Sequence, residues 1–308
     1  MGRTETAIIS SCWIIWRPVV GRGQPNAIAN WPPETPATGP GHALRVGLKA
    51  IDQPLGLALV GPARYRSCSV TTLSRPHPHV ARQAIVACAT TTLVVTAGSY
   101  WLPADWSATA VGLCFLAATY ALVVRNASNA RVCHFGLSFG GLLETNPVDW
   151  TRLLRETMTA IAWALGTALV VFPPFVLGFL LWWQPRQGFH LAPLSSISND
   201  ALGQLLVVAL PEEAFYRGYL QTSLDDAWKM RWKLFGGTLS PGLLLSSALF
   251  ALGHLLTEPN PTRLAVFFPS LLFGWLRTRT RGTGAGIGFH ALSNLFSAYL
   301  GRCFAMWS

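Results

Sequence analysis

Three apolar segments in the second half of the chain carry polar side chains of the kinds that hydrolytic enzymes use. These side chains, in chain order, are Glu212, Glu213, Arg217, His254, His290 and Asn294. Ionisable groups inside an apolar run are costly to bury, so they are candidates for function. A buried carboxylate can serve as a general base on water, and His and Asn can donate hydrogen bonds to a developing oxyanion. These residues therefore predict hydrolysis by an activated water.

The positions of these residues predict that four of them share one layer. Helical residues rise about 1.5 Å each, which places Glu212, His254, His290 and Asn294 roughly 10–18 Å from the cytoplasmic ends of their predicted helices. His290 and Asn294 are four residues apart and lie on one helical face. We therefore expect a single buried site near the middle of the membrane.

Each of these groups, taken alone, could instead have a purely structural role. Glu213 and Arg217 have the spacing of an i,i+4 ion pair at a solvated helix end. His254 alone is typical of a core histidine, and His and Asn side chains can join membrane helices. A zinc site could use two His and one Glu, but HExxH is absent and the ligands would come from three segments. Because each structural role needs its own buried partner, we favour one site, with no metal and no other cofactor.

Composition indicates that these segments lie in a membrane. Hydrophobic residues make up 51% of the 308, charged residues 12%, and the mean hydropathy is +0.37. Soluble domains carry about 25% charged residues, and disordered chains are far less hydrophobic. About 20 apolar residues span a bilayer as a helix. The sequence predicts an all-α polytopic membrane helix bundle of about seven transmembrane helices, at 84–103, 107–124, 158–183, 201–220, 242–257, 263–276 and 283–302.

Charge distribution predicts the orientation and the domain organisation. The net charge is +10, but Lys and Arg lie between apolar runs, which favours cytoplasmic membrane loops and excludes nucleic acid as a partner. Loops 125–157 and 221–241 are expected inside with the N-terminus, and loop 184–200 outside. The six cysteines have no paired spacing and are interpreted as buried apolar residues. We expect a basic, Pro-rich, partly disordered tail at 1–82, two transmembrane helices and a cytoplasmic loop at 83–157, and a catalytic membrane domain at 158–302.

The three polar segments also form recognisable motifs. They read EEAFYR at 212–217, FALGH at 250–254 and HALSN at 290–294, which fit the patterns EExxxR, FxxxH and HxxxN. In this order and on late apolar segments, they resemble the CPBP (Abi) family of intramembrane glutamic endopeptidases. That family includes type II CAAX prenyl proteases and bacteriocin-processing enzymes. The resemblance covers roughly residues 158–302, and residues 1–150 show no match to the family pattern.

The resemblance implies roles for the six polar residues and a reaction. The implied catalytic residues are Glu212 and His254, which activate water, and His290 and Asn294, which form an oxyanion site. The implied supporting residues are Glu213 and Arg217. The implied reaction is hydrolysis of a peptide bond in a membrane-associated protein or peptide.

The amino-acid usage bears on the substrate and the location. The chain contains three Lys and twenty Arg, which favours a bacterium with GC-rich DNA, where protein prenylation is not expected. We therefore expect an integral protein of a bacterial inner membrane that processes C-terminal sorting or anchor segments, as myxosortase-like members of the family do. The alternative is a non-catalytic immunity or scaffold protein of the same fold. The intact set of four catalytic residues favours the enzyme.

Overall fold

The computed structural model describes residues 78–306, and about three quarters of them are helical. Residues 1–77, and with them almost all of the predicted basic tail, lie outside the described residues. The first helix begins at Pro78, earlier than the predicted start at 84. Proline suits the first helical position because its fixed φ fits the helix and its missing N–H would have no partner there.

The helices are numbered in chain order. They are α1 Pro78–Trp101, α2 Ala104–Thr119, α3 Asn129–His134, α4 Trp150–Trp183, α5 Ser195–Ser198, α6 Leu210–Glu213, α7 Thr222–Ala227, α8 Pro241–Thr257, α9 Phe267–Thr280 and α10 Gly284–Cys303. The π-helical and 3₁₀ segments are Tyr120–Val124, Phe139–Gly141, Gly203–Ala209, Ala214–Gln221 and Pro261–Val266. Residues 203–227 form one unbroken helical run, which we call the motif helix.

The structure confirms the all-α membrane fold. Each of the seven predicted spans coincides with a helical segment of the described chain. Within residues 78–306, three helices are both long and apolar enough to cross a membrane: His79–Trp101, Ala104–Val124 and Trp150–Trp183. Pro241–Thr257 is apolar but shorter. The protein is therefore an integral membrane protein, and the total of seven spans stays a prediction.

The motif helix lies at the centre of the bundle. Every residue from Pro211 to Asp225 is buried, which is unusual for a segment with this many polar side chains. On one side it packs against α2, where the Phe115 and Phe215 rings are 5.3 Å apart. On another it packs against α8, where Tyr216 meets the ring of Phe250 edge-on at 5.0 Å. Helix α10 packs along α4 and completes the bundle.

The loop after α2 is ordered by a polar network. Arg152, near the start of α4, donates to both carboxylate oxygens of Glu144 at 2.8 and 3.0 Å, and to Ser138 Oγ at 2.9 Å. This bidentate contact lowers the pKa of Glu144 to about 2, so the carboxylate stays charged at neutral pH. Planar, two-point pairing of this kind also fixes geometry. The predicted cytoplasmic loop 125–157 is therefore a folded element.

A glycine lets this loop approach α9 and the start of α10. Gly136 has φ of 69°, and a Cβ there would lie 2.6 Å from the Arg277 guanidinium. Its carbonyl accepts a hydrogen bond from the Thr283 amide at 3.0 Å, while Arg277 donates to the His134 carbonyl at 2.8 Å. Only glycine satisfies both the backbone conformation and the close contact.

A small β-hairpin interrupts the helices where the sequence predicts only a loop. Strands β1 (Trp232–Leu234) and β2 (Gly237–Leu239) pair antiparallel, with Trp232 opposite Leu239. The two-residue turn, Phe235 and Gly236, has φ values of 46° and 76°. Positive φ at both turn positions matches the twist of a tight hairpin. This hairpin joins the motif helix to α8.

Candidate active site

The two glutamates of the EEAFYR motif lie on a short α-helical turn between two π-helical segments. Residues 203–209 and 214–221 are π-helical, and α6 between them carries Glu212 and Glu213. Single π-helical turns inside helices often occur at functional sites, because they change which way neighbouring side chains point. The sequence did not predict this irregularity.

Glu213 connects the first and third motifs. It is fully buried, and its Oε1 lies 3.0 Å from Arg217 Nη1. The same oxygen accepts a hydrogen bond from His290 Nδ1 at 3.0 Å. Because an ionised carboxylate can only accept, Nδ1 carries the hydrogen, and Nε2 is the ring atom left for chemistry. Glu213 thus fixes the orientation of the His290 ring.

Arg217 is enclosed by groups that suit its charge. Its Nη2 donates to Ser270 Oγ at 2.6 Å and contacts the Ser270 carbonyl at 3.3 Å. The guanidinium carbon lies 4.5 Å from the centre of the Phe250 ring and 5.1 Å from that of Phe273. Aromatic faces attract cations at such distances. With 1% of its surface exposed, Arg217 is a buried partner for Glu213 and does not form a solvated helix end.

His290 links this buried pair to Glu212. Its ring stacks on Phe273 with centres 4.6 Å apart and planes 12° from parallel. Its Nε2 lies 3.8 Å from Glu212 Oε2, which has no hydrogen-bond partner among the described residues. A separation of 3.8 Å is longer than a hydrogen bond. Glu212 and His290 therefore do not bond to each other, and both can contact a substrate group placed beside them.

Glu212 and His254 meet at a small cavity. His254 Nδ1 lies 2.9 Å from the Phe250 carbonyl, so Nδ1 is the donor and Nε2 of the neutral ring can accept. Both side chains line a cavity of about 20 Å³. Roughly 10–15 Å³ measured in this way is enough to hold one water molecule. The first and second motifs therefore converge on a space of the size of one water.

The rest of the cavity wall comes from the first two helices. Val95 of α1 and Val111 and Phe115 of α2 supply its apolar side. Gly253 is also part of the wall, where a Cβ would lie 3.1 Å from Tyr216 Oη and 3.7 Å from Thr92 Cγ2. The helices before residue 150 thus belong physically to the candidate site, although no motif marks them.

Asn294 lies one helical turn beyond His290 and outside the residues that line the cavity. Its Nδ2 donates to Gln204 Oε1 at 2.9 Å. An amide nitrogen carries two hydrogens, so one donor position remains. The predicted oxyanion role of His290 and Asn294 stays a prediction, and the structure adds Gln204 as the group that orients the amide.

Three residues of the site were missed by the sequence analysis. Gln204 carried a signal, because it is a polar residue within an apolar run of the motif helix. Ser270 and Tyr216 carried no signal. Ser270 is 53 positions away from its partner Arg217, and Tyr216 lies within the EEAFYR motif. Both resemble ordinary residues of a membrane helix.

Side chains that commonly bind metals do not cluster in the described part of the chain. Within residues 78–306, no three His, Cys, Asp or Glu side chains form a group that could hold a metal ion. The expectation of chemistry without a metal stays a prediction that requires an experiment.

Comparison with known families identifies the region that holds the three motifs. Residues 195–296 match the family described as type II CAAX prenyl endopeptidase, Rce1-like. The matched segment includes all six polar residues singled out from the sequence and ends before α10 does. No curated protein and no solved structure matches the chain. The match confirms the resemblance to the CAAX protease family, a family of peptide hydrolases, and leaves the myxosortase-like detail open.

Proposed function

We propose that the protein is an intramembrane endopeptidase of the glutamic type, since residues 195–296 match the family model of type II CAAX prenyl endopeptidases. It hydrolyses a peptide bond of a membrane-associated protein or peptide. The observation that carries this proposal is the cavity of about 20 Å³ lined by Glu212 and His254. A carboxylate and an imidazole beside a space for one water are what activation of that water requires.

The proposed reaction begins with the water in this cavity. Glu212 takes one proton from the water, while His254 Nε2 accepts a hydrogen bond from the second hydrogen and orients the oxygen. The oxygen attacks the carbonyl carbon of the substrate and forms a tetrahedral intermediate. As the C–N bond breaks, the proton held by Glu212 passes to the leaving nitrogen. The products are a carboxylic acid and an amine, the acid gives its proton to the amine to leave a carboxylate and an ammonium, and Glu212 returns to its starting state.

Hydrogen bonds to the developing oxyanion supply the second part of the mechanism. His290 Nε2 and the remaining N–H of Asn294 are the donors on this side of the site. For His290 to donate from Nε2, that nitrogen must carry a hydrogen in addition to the one that Nδ1 directs at Glu213. Prealigned donors in a site without bulk water stabilise such charge strongly. Arg217 balances the charge of Glu213, so the pair positions His290 without taking part in the reaction.

The substrate class follows from the membrane setting and the amino-acid usage. The family description names a CAAX prenyl endopeptidase, whereas three Lys against twenty Arg favours a GC-rich bacterium. We therefore propose C-terminal sorting or anchor segments of membrane proteins as substrates. The apolar wall from Val95, Val111 and Phe115 suits an apolar segment that reaches the site within the membrane.

The decisive experiment compares the C-termini of membrane proteins by mass spectrometry between cells with the wild-type protein and cells with Glu212→Gln. The matched control is Asp105→Asn, the same chemical change at an exposed acid at the start of α2. We expect specific proteins to keep an uncut C-terminal segment in Glu212→Gln cells only. Identical C-termini in all three strains would contradict the proposal and favour the immunity or scaffold alternative.

A second experiment separates the substrate classes. Purified protein is incubated with a farnesylated CAAX peptide and with an unmodified peptide that ends in an apolar segment and a basic tail. We expect cleavage of the unmodified peptide. Cleavage of the farnesylated peptide alone would assign the prenyl substrate class while keeping the enzyme class.

A further inference from the structure

The segment that joins the motif helix to α8 has an alternating pattern that the protease function does not use. Apolar and basic residues alternate in its first half. The apolar ones are Trp228, Met230, Trp232 and Leu234, and the basic ones are Lys229, Arg231 and Lys233. Where such a segment is extended, successive side chains point to opposite sides. We call residues 228–239 the hairpin patch.

Several apolar side chains of the hairpin patch are exposed. Phe235 is 86% exposed, Met230 56% and Trp232 50%. Leu234 is 40% exposed, and Lys233 between the two strand residues is exposed as well. A two-stranded hairpin cannot cover such residues by itself. Clustered exposed apolar residues mark an interaction surface.

The hairpin patch is held in place by the end of α9. Trp275 Nε1 donates to the Leu234 carbonyl at 2.8 Å, and the Thr238 amide donates to Thr278 Oγ1 at 2.9 Å. Gly237 allows this contact, since a Cβ there would overlap the Trp275 ring. The patch therefore lies beside the end of the motif helix, the start of α8 and the end of α9. These helices correspond to the fourth, fifth and sixth predicted spans, and the ends of membrane spans lie in the headgroup layer.

The surface around the hairpin patch is positively charged. Arg279 and Arg281 at the end of α9 are exposed. The nearest acids are Asp225 and Asp226. Asp225 accepts from Ser240 at 2.5 Å through its side chain and from Arg231 at 2.9 Å through its carbonyl, and Asp226 lies 2.7 Å from His134. Residues 227–281 contain one acidic residue, Glu258, which follows the C-terminal end of α8. This surface is complementary to anions.

We propose that the hairpin patch is an interfacial anchor that binds anionic phospholipids of the cytoplasmic leaflet. Aromatic and basic side chains together are suited to this layer, because the rings enter the boundary below the headgroups while the ammonium groups contact phosphates. The partner is the lipid surface and not a soluble protein, because the patch is fixed at the ends of three predicted spans and residues 228–239 carry charge of one sign only. The proposal is independent of the protease function.

The test measures hydrogen exchange of residues 228–239 by mass spectrometry in the purified full-length protein. The protein is held in mixed micelles, and phosphatidylglycerol is titrated in against phosphatidylcholine. We expect phosphatidylglycerol to slow the exchange and phosphatidylcholine to leave it unchanged. In Lys229→Gln/Lys233→Gln the phosphatidylglycerol content needed for half-maximal protection (the half-point) should rise about 25-fold, since each basic residue at an anionic surface contributes about fivefold.

The matched control removes the same charge elsewhere. Arg125→Gln/Arg155→Gln changes two exposed arginines of the other predicted cytoplasmic loop, and its half-point should equal that of the wild type. A second variant, Trp232→Ser/Phe235→Ser, tests the apolar side and should also lose protection. Equal protection by both lipids, no protection by either, or an equal loss in the control would each overturn the proposal. Protection that instead requires an added cytoplasmic extract would assign the patch to a protein partner and would likewise overturn it.

Discussion

Asn294 donates a hydrogen bond from Nδ2 to Gln204 Oε1 over 2.9 Å and so joins α10 to the π-helical start of the motif helix. This contact fixes which way the amide points, one turn beyond His290. Because Gln204 holds one N–H of the amide, the direction of the second N–H on Nδ2 is fixed as well. If Asn294 is an oxyanion donor, Gln204 is its positioning residue.

The Gln204–Asn294 contact leads to a graded prediction. Asn294→Ala should lower kcat by about 10²–10³, the usual cost of one oxyanion donor. Gln204→Met removes only the orienting acceptor and should lower kcat less, with KM unchanged. Gln187→Met, the same change at an exposed position outside the helices, is the control and should behave as wild type. A Gln204→Met enzyme with the kcat of the wild type would show that the contact serves packing alone.

Glu212 and Arg217 should separate activity from stability. Glu212→Gln should abolish cleavage without loss of protein, because Glu212 makes no buried ion pair as close as that of Glu213. Arg217→Ala should lower protein abundance and stability by about 3–5 kcal/mol, since it leaves Glu213 buried beside an empty space. Cleavage assays and thermal unfolding in detergent measure the two effects. A stable and fully active Arg217→Ala protein would show that the buried pair supports neither the fold nor the site.

The size of the cavity is tested at Gly253. The added methyl of Gly253→Ala would meet Tyr216 Oη at 3.1 Å and would narrow the space beside Glu212 and His254. We expect cleavage to fall at least about tenfold, because small displacements of reacting groups are costly. Gly178→Ala adds the same methyl where nothing lies within 4 Å, and should leave activity unchanged. Equal activity of the two variants would exclude the cavity as the place of the water.

The grouping of these polar residues could be predicted from the sequence, because ionisable side chains are unexpected within apolar helices. Glu212, His254 and His290 are costly in apolar helices, and a cost of that kind is visible in the sequence alone. Helical rise then predicts a shared layer, and the structure brings Glu212 within 3.8 Å of His290 and onto one cavity with His254. The helices themselves follow from the length of the apolar runs.

The remaining features could not be predicted because they depend on contacts between distant parts of the chain. Ser270 reaches Arg217 only after α9 has packed against the motif helix. In the sequence, Val95 and Phe115 are ordinary apolar residues, and only the packing of α1 and α2 places them at the cavity beside Glu212. The hairpin needs positive φ at Phe235, a residue type that gives no turn signal.

The orientation in the membrane is a separate prediction. We expect the N-terminus and the loops 125–157 and 221–241 on the cytoplasmic side, and loop 184–200 outside, because Arg and Lys concentrate in the former. Single cysteines introduced into a variant without the six native ones can be labelled with an impermeant reagent in intact cells. Labelling of loop 221–241 from outside would reverse the orientation and would also place the hairpin patch on the wrong leaflet.

A glutamic and a zinc mechanism differ in whether Glu212, His254 and His290 bind protons and hydrogen bonds or coordinate a metal ion. In the proposed mechanism Glu212 is a base and His254 an acceptor, and the oxyanion is stabilised by donors each worth about 2.7–4 kcal/mol. In a zinc enzyme the same side chains would be ligands, and their affinity for the metal would fall on protonation. The two mechanisms therefore differ in what removal of metal does.

Activity is expected to survive the complete removal of metal. Purified protein in detergent is treated with a strong chelator, its zinc content is measured by elemental analysis, and cleavage is assayed before and after. With Glu212 as the base of the water, the enzyme should keep its rate at zinc contents far below one per chain, since no cation is needed for the charge of the transition state. Glu212→Gln should be inactive in both preparations. Loss of cleavage on chelation that one equivalent of zinc restores would assign His254 and His290 as ligands and would overturn the glutamic mechanism.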